Sequence, residues 1–260
     1  MGKQDSVTIA VYRLNLGVST REYIKELHKL SAEVGPADLS IIPLPVKIFK
    51  DLASGRKAYA SYRKSIRTLL DRIPVLGSSG RVYVSPVAVQ YGGNSFISVV
   101  EATTRLEVSR KFIQYGGNFK GFLPKSPGVD VFNMRICFLV LDDIMYPEVA
   151  RYCSGSGSSV LVSFYPPVEM VDPELVVLAA RMRAYENDTN IIVAGGYTKS
   201  ESIPTLVVRR DGNVIDMTND SQPEVLSIQL AQEVSPRPRI EALRTYYAKA
   251  IKVMNSLSSR

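Results

Sequence analysis

The strongest constraint on this chain is that its apolar residues come in short runs of strand length, separated by amphipathic stretches. Val7 to Tyr12, Ile136 to Leu141, Val160 to Phe164 and Ile191 to Ala194 are apolar at all or all but one position, and Asp38 to Pro43 at four of six. A strand covered on one face alternates, whereas a strand apolar throughout must be covered on both. The stretches between several of these runs carry apolar residues at helical spacing. The economical solution is an α/β layered domain with apolar strands inside and helices outside. None of the runs approaches the roughly 20 apolar residues of a membrane helix.

The punctuation supports this order. Ser19 and Glu22 have capping-box spacing ahead of an apolar stripe of Ile24, Leu27, Leu30 and Val34, and Gly35-Pro36 ends the helix. His28, the single histidine, lies at the border of that stripe and is expected to be partly packed. A second helix is expected from Arg56 to Arg72, with Tyr59, Tyr62, Ile66, Leu69 and Leu70 on one face and Arg56, Lys57, Arg63, Lys64 and Arg67 on the other. Strands follow at Arg81 to Val89, Phe96 to Thr103 and Leu106 to Phe112, then a Gly-, Pro- and Lys-rich loop from Tyr115 to Gly128. Pro147 opens a short helix to about Tyr152, and Ser154 to Ser159 reads as a loop. Asp172-Pro173 forms an N-cap and first-turn pair for a helix ending near Asn187. Asp211-Gly212 between Leu206–Arg209 and Val214–Met217 signals a hairpin. Ile240 to Leu257 reads as an amphipathic helix on Ile240, Leu243, Tyr247, Ile251 and Met254. No long flexible linker divides the chain, so residues 1–260 are expected to form one domain, with a core over about 6–232 and a C-terminal helical extension over about 236–257.

Composition removes several function classes. With one histidine, a multi-histidine metal site is excluded and a Ser-His-Asp triad would hang on His28 alone. The Ser154–Ser159 run lacks the lysine of a phosphate loop and leads into a strand, and no dinucleotide fingerprint follows the first strand. No cofactor or metal is therefore expected. Lys and Arg outnumber Asp and Glu by 32 to 25, which attracts polyanions only weakly. The tyrosines of the Arg56–Arg72 helix fall on its core stripe, away from the charges, so that basic face reads as solvated and nucleic-acid binding is not expected. Two cysteines without metal spacing and no leader-like opening point to the cytoplasm. Cys137 reads as a buried core thiol, with Cys153 beyond a helix on the wrong side of the turn.

Two blocks carry a recognisable pattern. Residues 136–151 read ICFLVLDDIMYPEVAR, and residues 181–187 read RMRAYEN. The first resembles the nitrilase (carbon–nitrogen hydrolase) superfamily stretch in which an apolar strand leads to a catalytic Cys, an aromatic residue, an acid and then aromatic-Pro-Glu; Asp143, Tyr146, Pro147, Glu148 and Arg151 fit it. The second resembles the family's Arg-Ala-x-Glu-Asn helix end, through Arg183, Ala184, Glu186 and Asn187. The opening strand and helix, the Leu39–Pro43 strand and the Asp211-Gly212 hairpin fall in family order, so the resemblance spans most of residues 6–232.

The resemblance implies a four-layer α-β-β-α sandwich, pairing into a larger α-β-β-α-α-β-β-α dimer or higher homo-oligomer. It also implies a Glu, a Lys and a Cys acting as base, charge stabiliser and nucleophile. Here the Cys position holds Leu141 and the Glu position holds Leu44; Lys111, preceded by Arg110, remains. The implied function is that of a catalytically degenerate homologue that binds a small carboxylate or amide, with Asp143, Tyr146 and Glu148 as pocket support. Two alternatives stand beside it: an amidase using Asp142 as a substitute nucleophile or base, and a polyanion or acidic-partner binder.

Overall fold

The computed structural model describes residues 6–45, 66–73, 80–91, 94–113, 128–132, 134–167 and 172–231. Two six-stranded sheets form its centre. The first contains β1 (Ser6–Arg13), β2 (Leu39–Pro43), β3 (Arg81–Tyr91), β4 (Asn94–Glu101), β5 (Glu107–Ile113) and β14 (Glu224–Ala231), in the order β14-β1-β2-β3-β4-β5. The second contains β6 (Val129–Val131), β7 (Met134–Val140), β8 (Val160–Phe164), β9 (Asn190–Ala194), β12 (Thr205–Val208) and β13 (Val214–Thr218), in the order β13-β12-β9-β8-β7-β6. A small ribbon of β10 (Gly196–Tyr197) and β11 (Ser202–Ile203) lies apart. The neighbours β1-β2-β3 and β7-β8-β9 run parallel.

Alternation along each strand sends side chains to two different cores. Val7, Ile9 and Val11 of β1 meet Ile136, Phe138 and Val140 of β7 and Val160, Val162 and Phe164 of β8 between the sheets. On the outer face of the first sheet, Ala10 and Tyr12 pack with Tyr23, Leu27 and Leu30 of helix α1 (Thr20–Glu33) and with Ile66, Leu69 and Ile73 around the helical residues 66–72, here α2. On the outer face of the second, Cys137 and Leu139 pack with Val149, Ala150 and Cys153 of α3 (Pro147–Gly155) and with Val176, Ala180 and Ala184 of α4 (Pro173–Asn187). The result is the expected four-layer α-β-β-α sandwich. All five residues of β2 and of β8 are buried, Ser40 and Ser163 included, as strands covered on both faces require.

Local signals translate into geometry where they are chemically specific. Ser19 and Glu22 form a reciprocal capping box at the start of α1. Asp172 caps α4 by accepting the Glu174 N–H at 2.9 Å. Gly212 adopts φ 83° in the hairpin turn and donates its N–H to Arg209 O at 2.8 Å.

Other expectations shift. The buried stripe of α1 keeps the expected Leu27 and Leu30 and gains Tyr23, whose hydroxyl donates to Pro43 O at 2.7 Å, while Ile24 and Val34 pack partly buried against the same core. His28 is thereby turned outward and is exposed, not partly packed. Helix α3 runs on to Gly155 and absorbs the start of the expected Ser154–Ser159 loop; the Ser154 hydroxyl bonds back to Ala150 O at 3.0 Å. Cys137 is buried but is not a free thiol. Helix α3 folds back over β7 and places Cys153 within a Cα–Cα distance of 5.8 Å, and the two are disulfide-bonded. Most of the expected Arg56–Arg72 helix, most of the Tyr115–Gly128 loop and the Ile240–Leu257 helix lie outside the described residues.

One aromatic column runs through the inter-sheet core. The Tyr83 and Phe138 ring centroids are 4.7 Å apart, and those of Phe138 and Phe164 are 6.2 Å apart. Phe138 is thus the shared contact of both sheets. Phe138→Ala is expected to destabilise the fold by about 3–5 kcal/mol, read as a lower midpoint of guanidinium unfolding with an unchanged slope.

Candidate functional site

The parallel strands of both sheets end on the same side. An isolated bridge between Asn15, just past β1, and Tyr197, just past β9, runs parallel and ties the two carboxyl ends together. Arg13, fully buried at the end of β1, reinforces the junction: its guanidinium donates to Asp220 O at 2.8 Å, to Ile203 O at 2.5 Å and to the Ser202 hydroxyl at 2.6 Å. Loops beyond strand carboxyl ends are where α/β sheets assemble sites, and the positions picked from the sequence gather at this end.

Leu141 follows β7 directly and has φ 56°. A bulky residue in the left-handed region is a true outlier, and such strain persists only when the surroundings enforce it. Here they do. Leu141–Met145 forms a 3-10 turn, in which the Val140 N–H donates to the Asp143 carboxylate at 2.9 Å and the Tyr146 N–H to Asp143 O at 3.1 Å. From α4, Arg183 Nε donates to Ile144 O at 3.2 Å. Arg183 also pairs with Glu186, whose carboxylate lies 3.9 Å from Arg151 on α3. Asn187 Nδ2 donates to Arg183 O at 2.8 Å. The two sequence blocks are therefore one device: the Arg183–Asn187 helix end clamps the turn that follows β7. A strained strand-to-helix turn of this kind presents a nucleophile when its first residue carries one. In this chain that residue is leucine, half-buried against the inter-sheet core.

The turn also redirects side chains. By strand alternation Leu141 would share a face with Cys137; instead Cys137 faces α3 while Leu141 packs on the inter-sheet core. Leu44, just past β2, is fully buried in the layer beneath α1, and its N–H donates to Ser85 O at 2.7 Å. Leu44 and Leu141 thus sit at one end of the sandwich but in different packing layers. Lys111 lies on β5 opposite Ile97, which is itself opposite Ala88 of β3. Its backbone is therefore level with a point beyond Ser85, at the same end. Asp142 is half-buried beside Leu141, and Glu148 is exposed in the first turn of α3.

Tyr165 belongs to neither of the two sequence blocks. It lies just past β8, is 2 % exposed, and donates its N–H to Ala194 O at 3.1 Å. Burial, with the nearby Asp142 and Tyr146, pushes its phenol pKa up to about 12. The site therefore groups a carboxylate with two phenols at the strained turn. That set can accept from and donate to a bound polar group, and it supplies no thiol or imidazole. The only signal for Tyr165 was an aromatic residue placed between a buried strand and Pro166-Pro167. Among the described residues no three side chains cluster as metal ligands.

No protein-family model and no curated protein matches this sequence. Solved structures do. A carbon–nitrogen hydrolase from Helicobacter pylori G27 superposes with a TM-score of 0.67 at 15% identity, covering 100% of both chains. An amidase from Nesterenkonia AN1, of the nitrilase superfamily, superposes with a TM-score of 0.64 at 14% identity, covering 94% of this chain and 96% of that one. Another structure of the Nesterenkonia amidase carries an acetamide moiety at its active-site cysteine and superposes with a TM-score of 0.60 at 15% identity, over 89% of this chain and 93% of that one. This likeness establishes a nitrilase-type fold.

Two outcomes are expected from this geometry. Arg183→Ala leaves the Ile144 carbonyl and Glu186 without their donor, and should lower stability by about 1–3 kcal/mol in denaturant unfolding. The raised Tyr165 pKa means that its contribution is fully present below the ordinary phenol value of 10.0 and is lost as pH rises toward about 12. Tyr165→Phe should remove roughly 2 kcal/mol of the stability loss seen across that window, measured by urea unfolding at stepped alkaline pH.

Proposed function

We propose that this chain is a nitrilase-superfamily protein that has lost amide hydrolysis and acts by binding, as a homo-oligomer. The observation that carries this reading is Leu141: an apolar side chain on a strained, clamped turn at the position where the family resemblance puts the nucleophile. The turn is a maintained piece of architecture without its reactive atom. Leu44 extends the argument, since the base position is also apolar and fully buried. Restoring a carboxylate there would need desolvation that nothing in that layer offsets.

The ligand proposed for this end is a small carboxylate or amide. Lys111 would supply the charge, and Asp142, Tyr146 and Tyr165 the hydrogen bonds. The location proposed is the cytoplasm, where the Cys137–Cys153 bond would be kept from reductants by the complete burial of both residues. No helix among the described residues is long and apolar enough to cross a membrane.

The homo-oligomer reading has its own support. Leu175, Leu178, Met182 and Tyr185 fall on one face of α4 and are 54%, 50%, 53% and 61% exposed. Arg181 Nε donates to Gly212 O at 3.0 Å and holds the β12–β13 hairpin alongside, where Ile215 and Met217 are also exposed. A continuous apolar strip of this kind favours a self-complementary pairing about a twofold axis.

A second reading keeps hydrolysis, with Asp142 attacking in place of the missing thiol; its support is the position of that carboxylate directly after Leu141. Polyanion binding through the basic helix rests on residues mostly outside those described, with only Arg67 and Arg72 seen exposed on α2. Incubation with a panel of amides, nitriles and N-carbamoyl compounds is expected to release no more ammonia from the wild type than from Lys111→Ala. Turnover that disappears in Lys111→Ala or Asp142→Asn would overturn the binding reading. In light scattering the wild type is expected to be a dimer or larger, and Met182→Asp with Tyr185→Asp a folded monomer.

A further inference from the structure

We infer a second binding site, at the end of the sandwich opposite Leu141, for a small carboxylate with an apolar body. A cleft of about 530 Å³ opens there between the two sheets. Its walls come from the amino end of β3, the turn from β4 to β5, and the β6–β7 hairpin. Arg81 begins β3 opposite Leu39, the first residue of β2, whereas Leu44 follows the last. Phe132 likewise precedes β7, whereas Leu141 follows it. The cleft and the strained turn thus cap opposite ends of the same strands, and this inference does not depend on the function proposed for the other end.

The first argument is a local rule broken without return. β6 and β7 pair Val131 with Met134, so their connection is a two-residue turn that begins with Phe132. Phe132 has φ 47°. Such turns favour Asn, Asp or Gly, and a bulky side chain in that region is strained. Burial does not compensate, because Phe132 is 42% exposed at the cleft. Leu106, 62% exposed, lines the cleft as well. Val108 and Val129 continue the apolar wall inward to the buried Tyr83 ring. A departure from local preference that folding does not repay marks a place kept for binding.

The second argument is charge. Glu101, the one carboxylate lining the cleft among the described residues, is already engaged: it accepts the Thr103 N–H at 3.2 Å, the Thr104 N–H at 2.8 Å and the Thr104 hydroxyl. Arg81 is exposed, gives one N–H to Asp130 O at 3.3 Å and another to the Tyr83 hydroxyl, and pairs with no carboxylate among the described residues. The cleft therefore offers a cation with donors to spare beside apolar walls, while its own acceptor is satisfied. A single guanidinium presents parallel N–H donors that match a carboxylate, and a phosphate dianion would leave charge uncompensated in an apolar cleft. The predicted occupant is a monocarboxylate with a branched or aromatic body, its head on Arg81 and its body against Leu106, Val108, Val129 and Phe132.

The test titrates phenylacetate, with phenylacetamide as its neutral isostere, into the full chain by calorimetry and ligand-observed NMR. Saturable phenylacetate binding, at least about tenfold weaker in Arg81→Gln and for the amide, supports the site. Phe132→Asn puts a preferred residue into the turn, so it is expected to keep or raise the melting temperature while weakening phenylacetate binding; it decides the question should Arg81→Gln fail to fold. Absence of saturable binding up to about 10 mM, or binding unchanged in both variants, overturns the inference. Binding lost in Lys111→Ala but retained in Arg81→Gln also overturns it and assigns the carboxylate to the other end.

Discussion

Two sheets that are apolar on both faces can be buried only as inner layers, and the rest of the molecule follows from that requirement. Alternation along β1 divides its side chains between the inter-sheet core and the layer beneath α1, and β7 divides its own between that same core and α3. Each strand therefore needs a partner sheet and a helix. The helices are not ornaments on a stable sheet; without α1, α3 and α4 the outer faces would expose Ala10, Leu139 and Val193 to water. Because the crossovers run outside, the parallel strands of both sheets end on the same side, and this brings Leu44, Lys111 and Leu141 to one end.

The turn after β7 is the place where this scaffold is spent on something other than stability. Arg183 is buried to fasten one carbonyl, and Asp143 is buried to hold one N–H. Both are charged residues with desolvation to overcome, and together they fix a leucine in a conformation leucine disfavours. The turn also sets Leu141 beside Asp142, with Tyr146 and Tyr165 close by.

Legibility in the sequence followed how local each signal was. The Ser19–Glu22 box, the Asp172 cap and the Gly212 turn involve residues a few positions apart, and each formed as read. In α1 the stripe of Leu27 and Leu30 formed as its spacing requires, and Tyr23 joins it through a bond from its hydroxyl to Pro43 that crosses from helix to strand. Strand β14 went unread although Leu226, Ile228 and Leu230 alternate cleanly; its partner β1 lies at the other end of the chain. Nothing local pairs Cys137 with Cys153, because the bond depends on a short helix folding back on its own strand. In the candidate site the motif order placed Leu44, Lys111 and Leu141 at strand ends, while nothing local distinguishes Tyr165 from a core aromatic.

What the sequence determined by itself was the layered α/β class and the positions of most elements. These are properties of residue type, spacing and period, and they survive without knowing which strand lies beside which. The tertiary structure alone decided that the two motif blocks form one clamp, that Leu141 is strained, that Tyr165 joins Asp142 and Tyr146, and that Phe132, Leu106 and Arg81 share a cleft. Each of these brings together residues tens of positions apart, and only packing sets the distances through which charge, hydrogen bonding and backbone strain act.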